Sequence, residues 1–175
     1  MIRISLSSGE PLHLKPSPNR KFTGLRIPGS NLYSSDRAGQ TLHLHIYQHR
    51  LYRITLRHFY FAKSVQTITT ESDNWLRLEV PLSGRQSVIP KGGKAFHLDP
   101  GVYHLTDQPL FASDHAEGES SIYFTIHFSP ELLAGIGSDQ SPVIRLPGPV
   151  PKDLLEIVYD ILKCPFQESL RDFYY

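Results

Sequence analysis

Apolar and polar residues alternate strictly through a series of short segments, and this alternation limits the fold more than any other feature of the sequence. In the clearest segment, WLRLEVPLSG, Leu76 and Leu78 fall on one face while Arg77 and Glu79 fall on the other. A period of two residues is typical of a β-strand with two unlike faces. Similar segments, separated by turn-forming residues, recur at about ten-residue intervals over 41–129. This spacing predicts a mainly β fold, an antiparallel sandwich or barrel, rather than alternating strands and helices.

Both ends of the chain depart from this alternation. Residues 7–40 are rich in Ser, Pro, Gly and Arg and predict an irregular segment with one short strand at its start. From Ser129, the sequence SPELLAGI combines an N-cap serine, a first-turn proline and an acidic first turn, which predicts a short helix. A loop is expected over 137–150, and a helix with an apolar stripe over 151–163. The segment FQESLRDFYY again has a helical pattern, so we expect two or three C-terminal helices in all. The apolar residues of this segment either pack on the sheet or indicate that the chain is a fragment of a longer protein.

Composition and charge narrow the class of protein. The 175 residues suit one domain with a core large enough to fold unaided. Lys plus Arg number 18 and Asp plus Glu 17, so no charge excess indicates nucleic acid or a membrane as a direct partner. The single cysteine, Cys164, favours a reducing compartment and is expected to be a core residue. No apolar run approaches the roughly 20 residues that span a bilayer, and a secretory signal is not recognisable, so we expect a cytoplasmic protein.

Four stretches carry a resemblance to a known family: LRLEVPLSG, FHLDPGVYHL, SIYFTIHFSPELLAGI and LLEIVYDILKCPFQESLRDFYY. Over about residues 50–175 the chain resembles the N-terminal sensor domain of transcription regulators of the arabinose-regulator (AraC/XylS) family. The resemblance implies a cupin-like double-stranded β-helix, or jelly-roll barrel, in residues 1–148 and linker or dimerisation helices in residues 149–175. It also implies that the family's DNA-binding helix-turn-helix domain is absent from this chain, where no stretch has the pattern of a basic recognition helix.

The stretch HLDPGVYHLTD can be compared with the metal-binding pattern of cupins, which indicates whether such a barrel would hold a metal ion. Metal-binding cupins carry the pattern G-x5-P-x-G-x-x-H-x-x-x-N, which the sequence matches at Gly93, Gly101 and His104 but not at the proline and asparagine positions. Arg77 occupies the glutamate position of the other cupin pattern, whose histidine positions hold no histidine. A transition-metal site needs at least three converging protein ligands. We therefore expect no metal and no cofactor, and His104 and His97 are expected to be ordinary strand residues.

Two further groups of side chains offer metal ligands. Glu71 and Asp73 carry carboxylates at the spacing of the missing histidines, but they lie in ESDN, which is typical of an exposed turn. His43, His45 and His49 share one face in HLHIYQH, and a His-x-His strand needs a third ligand that the sequence does not identify. A solvated or lightly covered strand face is the favoured interpretation.

Polar residues opposite the aliphatic positions are the candidate ligand-binding residues: Arg77, Glu79, His104, Tyr123 and His127. Barrels of this size are either filled by side chains or hold one small ligand. If the mixed face points inward, these residues can bind a small effector such as a sugar or a small polar acid. If Arg77 and Glu79 face solvent, which is the commoner position for charged residues, the barrel is simply packed. Alternation alone does not decide between the two.

The apolar stripe near the C-terminus also has two interpretations. Leu154, Ile157, Val158 and Ile161 predict a homodimer interface, unless the stripe packs within the chain. Together with the resemblance, the sequence predicts the ligand-sensing and dimerisation domain of a bacterial transcription regulator, which is not an enzyme and reaches DNA only through another domain. The alternatives are a metal-dependent cupin enzyme (an isomerase or dioxygenase) and a stand-alone sugar-binding cupin.

Overall fold

The computed structural model describes residues 2–17, 22–37, 39–73, 75–90, 94–107, 110–135 and 145–164. Within these ranges the chain forms thirteen strands and two helices. The strands are β1 (Ile2–Leu6), β2 (Lys15–Pro16), β3 (Asn31–Arg37), β4 (Gln40–Gln48), β5 (Tyr52–Phe61), β6 (Val65–Glu71), β7 (Leu76–Ser83), β8 (Gln86–Pro90), β9 (Phe96–Leu98), β10 (Val102–Thr106), β11 (Leu110–His115), β12 (Ser120–Phe128) and β13 (Arg145–Pro149). The helices are α1 (Pro130–Gly135) and α2 (Lys152–Lys163).

The described strands form two antiparallel sheets. The smaller sheet has the order β1-β6-β11-β8-β9, and the larger has the order β13-β10-β7-β12-β5-β4-β3-β2. The central strands of the larger sheet come from distant parts of the chain, since β12 pairs with β5 on one side and with β7 on the other. The predicted mainly β, cupin-like fold followed by C-terminal helices is confirmed.

The three central strands of the larger sheet, β7, β12 and β5, are buried on both faces. On the face towards the smaller sheet lie polar side chains, including Arg57, whose guanidinium is 5.6 Å from the ring centre of Phe111 in β11. On the opposite face lie Ile54, Leu56 and Phe124, which are buried in an apolar cluster with α2. The usual arrangement of a sandwich, with aliphatic residues between the sheets and polar residues outside, is therefore reversed over part of these strands. At the other end of β5 the arrangement is the usual one, because Phe59 and Phe61 lie between the sheets in an apolar cluster with Ile4 of β1.

Two segments cover the outward aliphatic surface of the larger sheet. From α2, Val158, Ile161 and Leu162 pack against it, and all three are buried. From residues 22–30, which we call the covering segment, Ile27 joins the same cluster and is 1% exposed. Burial of these aliphatic side chains from both segments is the main force that directs the polar face of the sheet inward.

Both described helices begin where the sequence predicts. The Leu132 amide donates a hydrogen bond to the Ser129 hydroxyl at 3.2 Å, which confirms the N-cap of α1. Pro151 precedes α2, and Asp153 in its first turn and Lys163 in its last have the charges that the helix dipole favours. The third predicted helix, in residues 166–175, lies outside the described residues.

Besides the two-residue β2, two longer strands lie where the sequence predicts none. β3 occupies part of the supposedly irregular segment 7–40, and it pairs with β4 along its whole length. β13 occupies the end of the predicted loop 137–150 and pairs with β10 at the edge of the larger sheet. Both strands are held by backbone pairing to a neighbour, a contact that leaves little trace in side-chain alternation.

Candidate functional site

All five residues predicted to bind a ligand are buried, and none is more than 3% exposed. The alternative in which Arg77 and Glu79 face solvent is wrong, because α2 and the covering segment bury the other side of β7. Strand register then places His104 opposite Glu79, and His127 opposite Arg77. Tyr123 lies further along β12 and is fully buried. Four of the five predicted residues are therefore direct neighbours between the sheets.

Glu71 lies at the centre of an ion-pair network, although ESDN predicted an exposed turn. It is the last residue of β6 and 7% exposed. Its carboxylate is 2.9 Å from Arg53 Nη2, 2.9 Å from His127 Nε2 and 3.5 Å from Arg77 Nη1. Asp73, at the edge of the network, pairs with Arg53 at 2.5 Å. Burial opposes ionisation, but the hydrogen bond from His127 and the charges of Arg77 and Arg53 outweigh it and hold the pKa of Glu71 well below its usual range.

A second network surrounds Glu79. Arg57 Nη2 is 2.9 Å from one carboxylate oxygen of Glu79, and Arg77 Nε is 3.6 Å from the other. Arg57 also donates a hydrogen bond to the Thr125 hydroxyl at 3.2 Å. Burial opposes ionisation, but the charges of Arg57 and Arg77 exceed its effect and lower the pKa of Glu79, which is ionised at neutral pH. Arg77 contacts both Glu71 and Glu79, so the two networks are joined.

The joined networks hold more buried positive charge than negative charge. The guanidiniums of Arg53, Arg57 and Arg77 are at most 4% exposed, and the carboxylates of Glu71 and Glu79 at most 7%. Three cations thus share two fully buried anions, with a further carboxylate only at the edge. The Nε atoms of all three arginines lack a hydrogen-bond partner among the described residues. A small anion can satisfy both the excess charge and these donors.

Phe111 and two histidines complete the interior around these networks. The guanidinium of Arg77 lies 4.0 Å from the ring centre of Phe111, a close cation–π contact. His115 Nε2 is 3.0 Å from the Thr67 hydroxyl. His104 Nε2 and His115 Nδ1 have no hydrogen-bond partner in the described part of the chain. The interior therefore offers neutral polar atoms as well as charged ones to a ligand.

Burial lowers the pKa of four histidines to about 4: His45, His58, His104 and His115. Neighbouring arginines contribute for three of them: Arg26 beside His45, Arg77 beside His104 and Arg57 beside His115. These four imidazoles are therefore neutral at pH 7. Burial also raises the pKa of Tyr123 far above its usual range, so its phenol keeps its proton.

A cleft of about 560 Å³ opens at one end of the smaller sheet. It is lined by Ser64, Arg85, Ser87, Asp114, His115, Ala116 and Glu119. Of these residues His115 is 5% exposed and belongs to the interior, where it lies close to Arg57. The cleft therefore reaches from the surface to the edge of the buried polar cluster.

The histidines of HLHIYQH are not arranged as the sequence predicts. His45 is 1% exposed, so a solvated or lightly covered face is wrong for this residue. His49 lies beyond the end of β4. In the described ranges, no group of three or more His, Cys, Asp or Glu side chains is placed to hold a metal ion in this conformation.

The stripe proposed for dimerisation is divided between two environments. Val158 and Ile161 are buried against the larger sheet, as the intramolecular alternative requires, and Leu154 is half-buried. Ile157 is 52% exposed and the neighbouring Tyr159 is 40% exposed. Ile157 and Tyr159 thus remain available for a partner, and the dimer stays a prediction.

Comparisons with known proteins give similarity at the level of fold. ToxT from Vibrio cholerae O395 is similar with a TM-score of 0.51 and 10% identity, over 70% of this chain and 50% of ToxT. The AraC-like transcriptional activator CuxR is similar with a TM-score of 0.44 and 11% identity, over 57% of this chain and 37% of CuxR. The cupin domain of Cnp3 from Schizosaccharomyces pombe is similar with a TM-score of 0.43 and 12% identity, over 80% of this chain and 95% of that domain.

The structures similar to this chain thus include an AraC-like transcriptional activator and a cupin domain, and at these identities the similarity is one of fold alone. The chain spans half or less of the length of CuxR and of ToxT. No protein-family model and no curated protein matches the sequence. Among the described residues, no helix is long and apolar enough to cross a membrane.

Proposed function

We propose that this chain is the effector-sensing domain of a transcription regulator of the arabinose-regulator type. The fold that it has in common with ToxT supports the proposal, and so does the absence of strong net charge, since a sensor domain does not itself contact DNA. In this proposal residues 1–148 form the sensor and residues 149–175 form the linker or dimerisation helices. DNA binding belongs to a separate domain of the full protein.

The effector in this proposal is a small polar anion bound between the two sheets. The observation that carries it is the buried excess of guanidinium groups over fully buried carboxylates, with Nε atoms on Arg53 and Arg57 that have no partner among the described residues. The predicted residues Arg77, His104 and Tyr123 would contact the effector. The remaining two, Glu79 and His127, are paired with arginine and with Glu71, so their role is to position the cationic groups.

Signal transfer in this proposal runs through the sheet to α2. Strands β5 and β12 carry interior polar residues on one face and the aliphatic residues that pack against α2 on the other. A ligand that alters the spacing of these strands therefore changes the surface on which α2 packs. The ligand shifts the equilibrium between two positions of α2 only as far as it binds the protein more tightly in one position than in the other.

A thermal-shift panel tests the proposed effector class. The panel holds small carboxylic acids, their neutral amides, and sugars, each at the same concentration. A ligand at one hundred times its Kd stabilises the folded state by about 2.7 kcal/mol, which raises the Tm of a domain of this size by about 5–10 °C. We expect at least one acid to produce a shift of this order and its amide to produce a much smaller one.

Two matched arginine variants locate the site. Arg77→Gln removes a buried guanidinium, while Arg37→Gln removes one that is 46% exposed and does not line the cleft. We expect the ligand-induced shift, measured against each variant's own Tm, to disappear in Arg77→Gln and to persist in Arg37→Gln. A panel in which only neutral compounds stabilise the protein, or a shift equally large in Arg77→Gln, contradicts the proposal.

A further inference from the structure

Three histidines meet on the outward face of the larger sheet, away from the proposed effector site. Strand register places His43 of β4 directly opposite His58 of β5. His45 lies two residues further along β4 and so shares their face. The histidine pattern in the sequence suggested His49 as the third member, but the structure supplies His58 from the neighbouring strand.

The hydrogen bonds of these histidines leave one ring nitrogen of each available. The Ser30 hydroxyl donates to the Ile27 carbonyl at 2.7 Å, so it can only accept from His45 Nδ1, which lies 3.1 Å away. The proton of His45 is therefore on Nδ1, and Nε2 carries a bare lone pair. This Nε2 is buried and has no partner among the described residues, as is also true of His58 Nε2.

Similar contacts orient the other two rings. His43 Nδ1 is 2.8 Å from the Ser34 hydroxyl, and His58 forms a hydrogen bond with the backbone of Leu25. Metal-bound histidines have this arrangement, in which one ring nitrogen bonds a neighbouring polar group and the other faces the ion.

The side chain of Phe22 marks the point that the three rings share. Its ring centre lies 4.9 Å from that of His43, 5.0 Å from that of His45 and 5.0 Å from that of His58. All three contacts are edge-to-face. A phenyl ring cannot accept or donate conventional hydrogen bonds at the free Nε2 atoms, so it covers the histidines without satisfying them.

We infer that His43, His45 and His58 form a latent site for Zn²⁺ or a related divalent transition metal, which opens when the ring of Phe22 moves away from them. Three imidazole nitrogens are the protein ligands of one recognised class of zinc site, in which water or another ligand takes the fourth position. In the present conformation the phenyl ring lies against all three imidazoles, and the rings of His45 and His58 are in contact with each other, with their centres 5.9 Å apart. Among the described residues no group of three ligands is placed to hold a metal ion before the phenyl ring moves. The inference is independent of the proposed effector, because the histidines lie on the opposite face of the sheet.

Of the two charged side chains near the histidines, one favours a bound metal ion and the other opposes it. The carboxylate of Asp36 acts on His43 and favours a cation, whereas the guanidinium of Arg26 acts on His45 and opposes it. Asp36 and Arg26 are both exposed, so solvent screens their effects.

Metal binding would change the covering segment, since Phe22 belongs to it. Ile27 of the same segment packs with Val158 and Ile161 of α2. Withdrawal of Phe22 therefore loosens one end of a segment whose other end contacts the C-terminal helix. The site would make the position of the covering segment sensitive to metal.

Titration with Zn²⁺ by calorimetry, and with Co²⁺ by visible absorption, tests the inference. We expect the wild-type protein to bind one equivalent of metal, with the intense visible bands of four-coordinate Co²⁺. Phe22→Ala removes the competing ring and should bind at least about tenfold more tightly. Ser30→Ala removes the partner of His45 Nδ1 and should weaken binding by about 10–100-fold.

Two matched histidine variants decide which residues are ligands. His58→Gln should lose more affinity than Ser30→Ala, because it removes a ligand, whereas His49→Gln should bind like the wild-type protein. If Phe22→Ala fails to fold, the wild-type, His58→Gln and His49→Gln proteins still decide the question. Binding that survives His58→Gln, an equal loss in His49→Gln, or no stoichiometric binding in the wild-type protein or in folded Phe22→Ala overturns the inference.

Discussion

Replacing Glu71 by glutamine should destabilise the fold strongly, because Glu71 is the shared anion of three buried side chains. Its carboxylate contacts Arg53, Arg77 and His127, and none of these four residues is more than 7% exposed. Removing one partner of a buried ion pair costs about 3–5 kcal/mol, since the remaining charge stays buried without compensation. Asp73 still pairs with Arg53, so we expect the lower end, about 3 kcal/mol, or a fall in Tm of about 6–12 °C.

Urea unfolding followed by fluorescence of the single tryptophan, Trp75, measures this loss. The matched control is Glu10→Gln, which removes a carboxylate paired with Arg37 at the surface, where the two side chains are 48% and 46% exposed. An exposed pair contributes less than about 1 kcal/mol. If Glu71→Gln costs no more than Glu10→Gln, the network is not the buried, mutually dependent unit described above.

Acidification should destabilise the protein, because the four histidines with pKa values of about 4 in the folded state have ordinary values near 6.5 when unfolded. The contribution of these histidines to the free energy of unfolding is complete above pH 6.5, and each loses about 1 kcal/mol per pH unit as the pH falls towards 4. Urea unfolding at pH 7.5 and 5.5 measures this loss. A free energy of unfolding that is higher at pH 5.5 contradicts the prediction. Ile161→Ala should cost about 2–4 kcal/mol by leaving a cavity under α2, and the exposed Ile157→Ala less than about 0.5 kcal/mol, by the same assay; similar losses would mean that α2 is not packed as described. Gly84→Ala should lower the Tm more than Gly118→Ala does. Both glycines have positive φ, but only at Gly84 would the new Cβ lie 2.7 Å from Ser121 Cβ. Equal Tm values for the two variants would contradict this.

The sequence predicted the strands that have two contrasting faces and missed the strands that do not. β7 and β12 alternate cleanly because each has an aliphatic face under α2 and a polar face between the sheets. β3, with the sequence NLYSSDR, shows little apolar alternation. β13 contains Pro147, Pro149 and Gly148, which normally argue against a strand but are tolerated at the edge of a sheet.

The candidate site could be predicted in its members but not in its orientation. Arg77 and Glu79 were recognisable as polar residues opposite aliphatic ones, yet alternation is the same whichever face is inside. Only the packing of α2 against the aliphatic face decides it, and that is a long-range contact. Glu71 was hidden by its neighbours, although its alternation with Thr67 and Thr69 in β6 would have placed it inward.

The histidine cluster also depends on a contact between strands that the sequence does not show. The pattern His-x-His in β4 was visible, but its third member lies on the adjacent strand, opposite His43. The register between two strands depends on the turn and on the pairing of the whole hairpin. A single sequence does not show which residue of one strand pairs with which residue of the next.

The reversed arrangement of the larger sheet has a practical consequence for shortened versions of the protein. If the chain stopped before Pro151, Ile54, Leu56 and Phe124 would keep only the covering segment over them, and the part of their apolar surface that α2 buries would be exposed even with every strand still paired. Contiguous apolar surfaces of this kind promote self-association. A version trimmed to its strands alone should therefore precipitate, and one that keeps residues up to Cys164 should remain monodisperse.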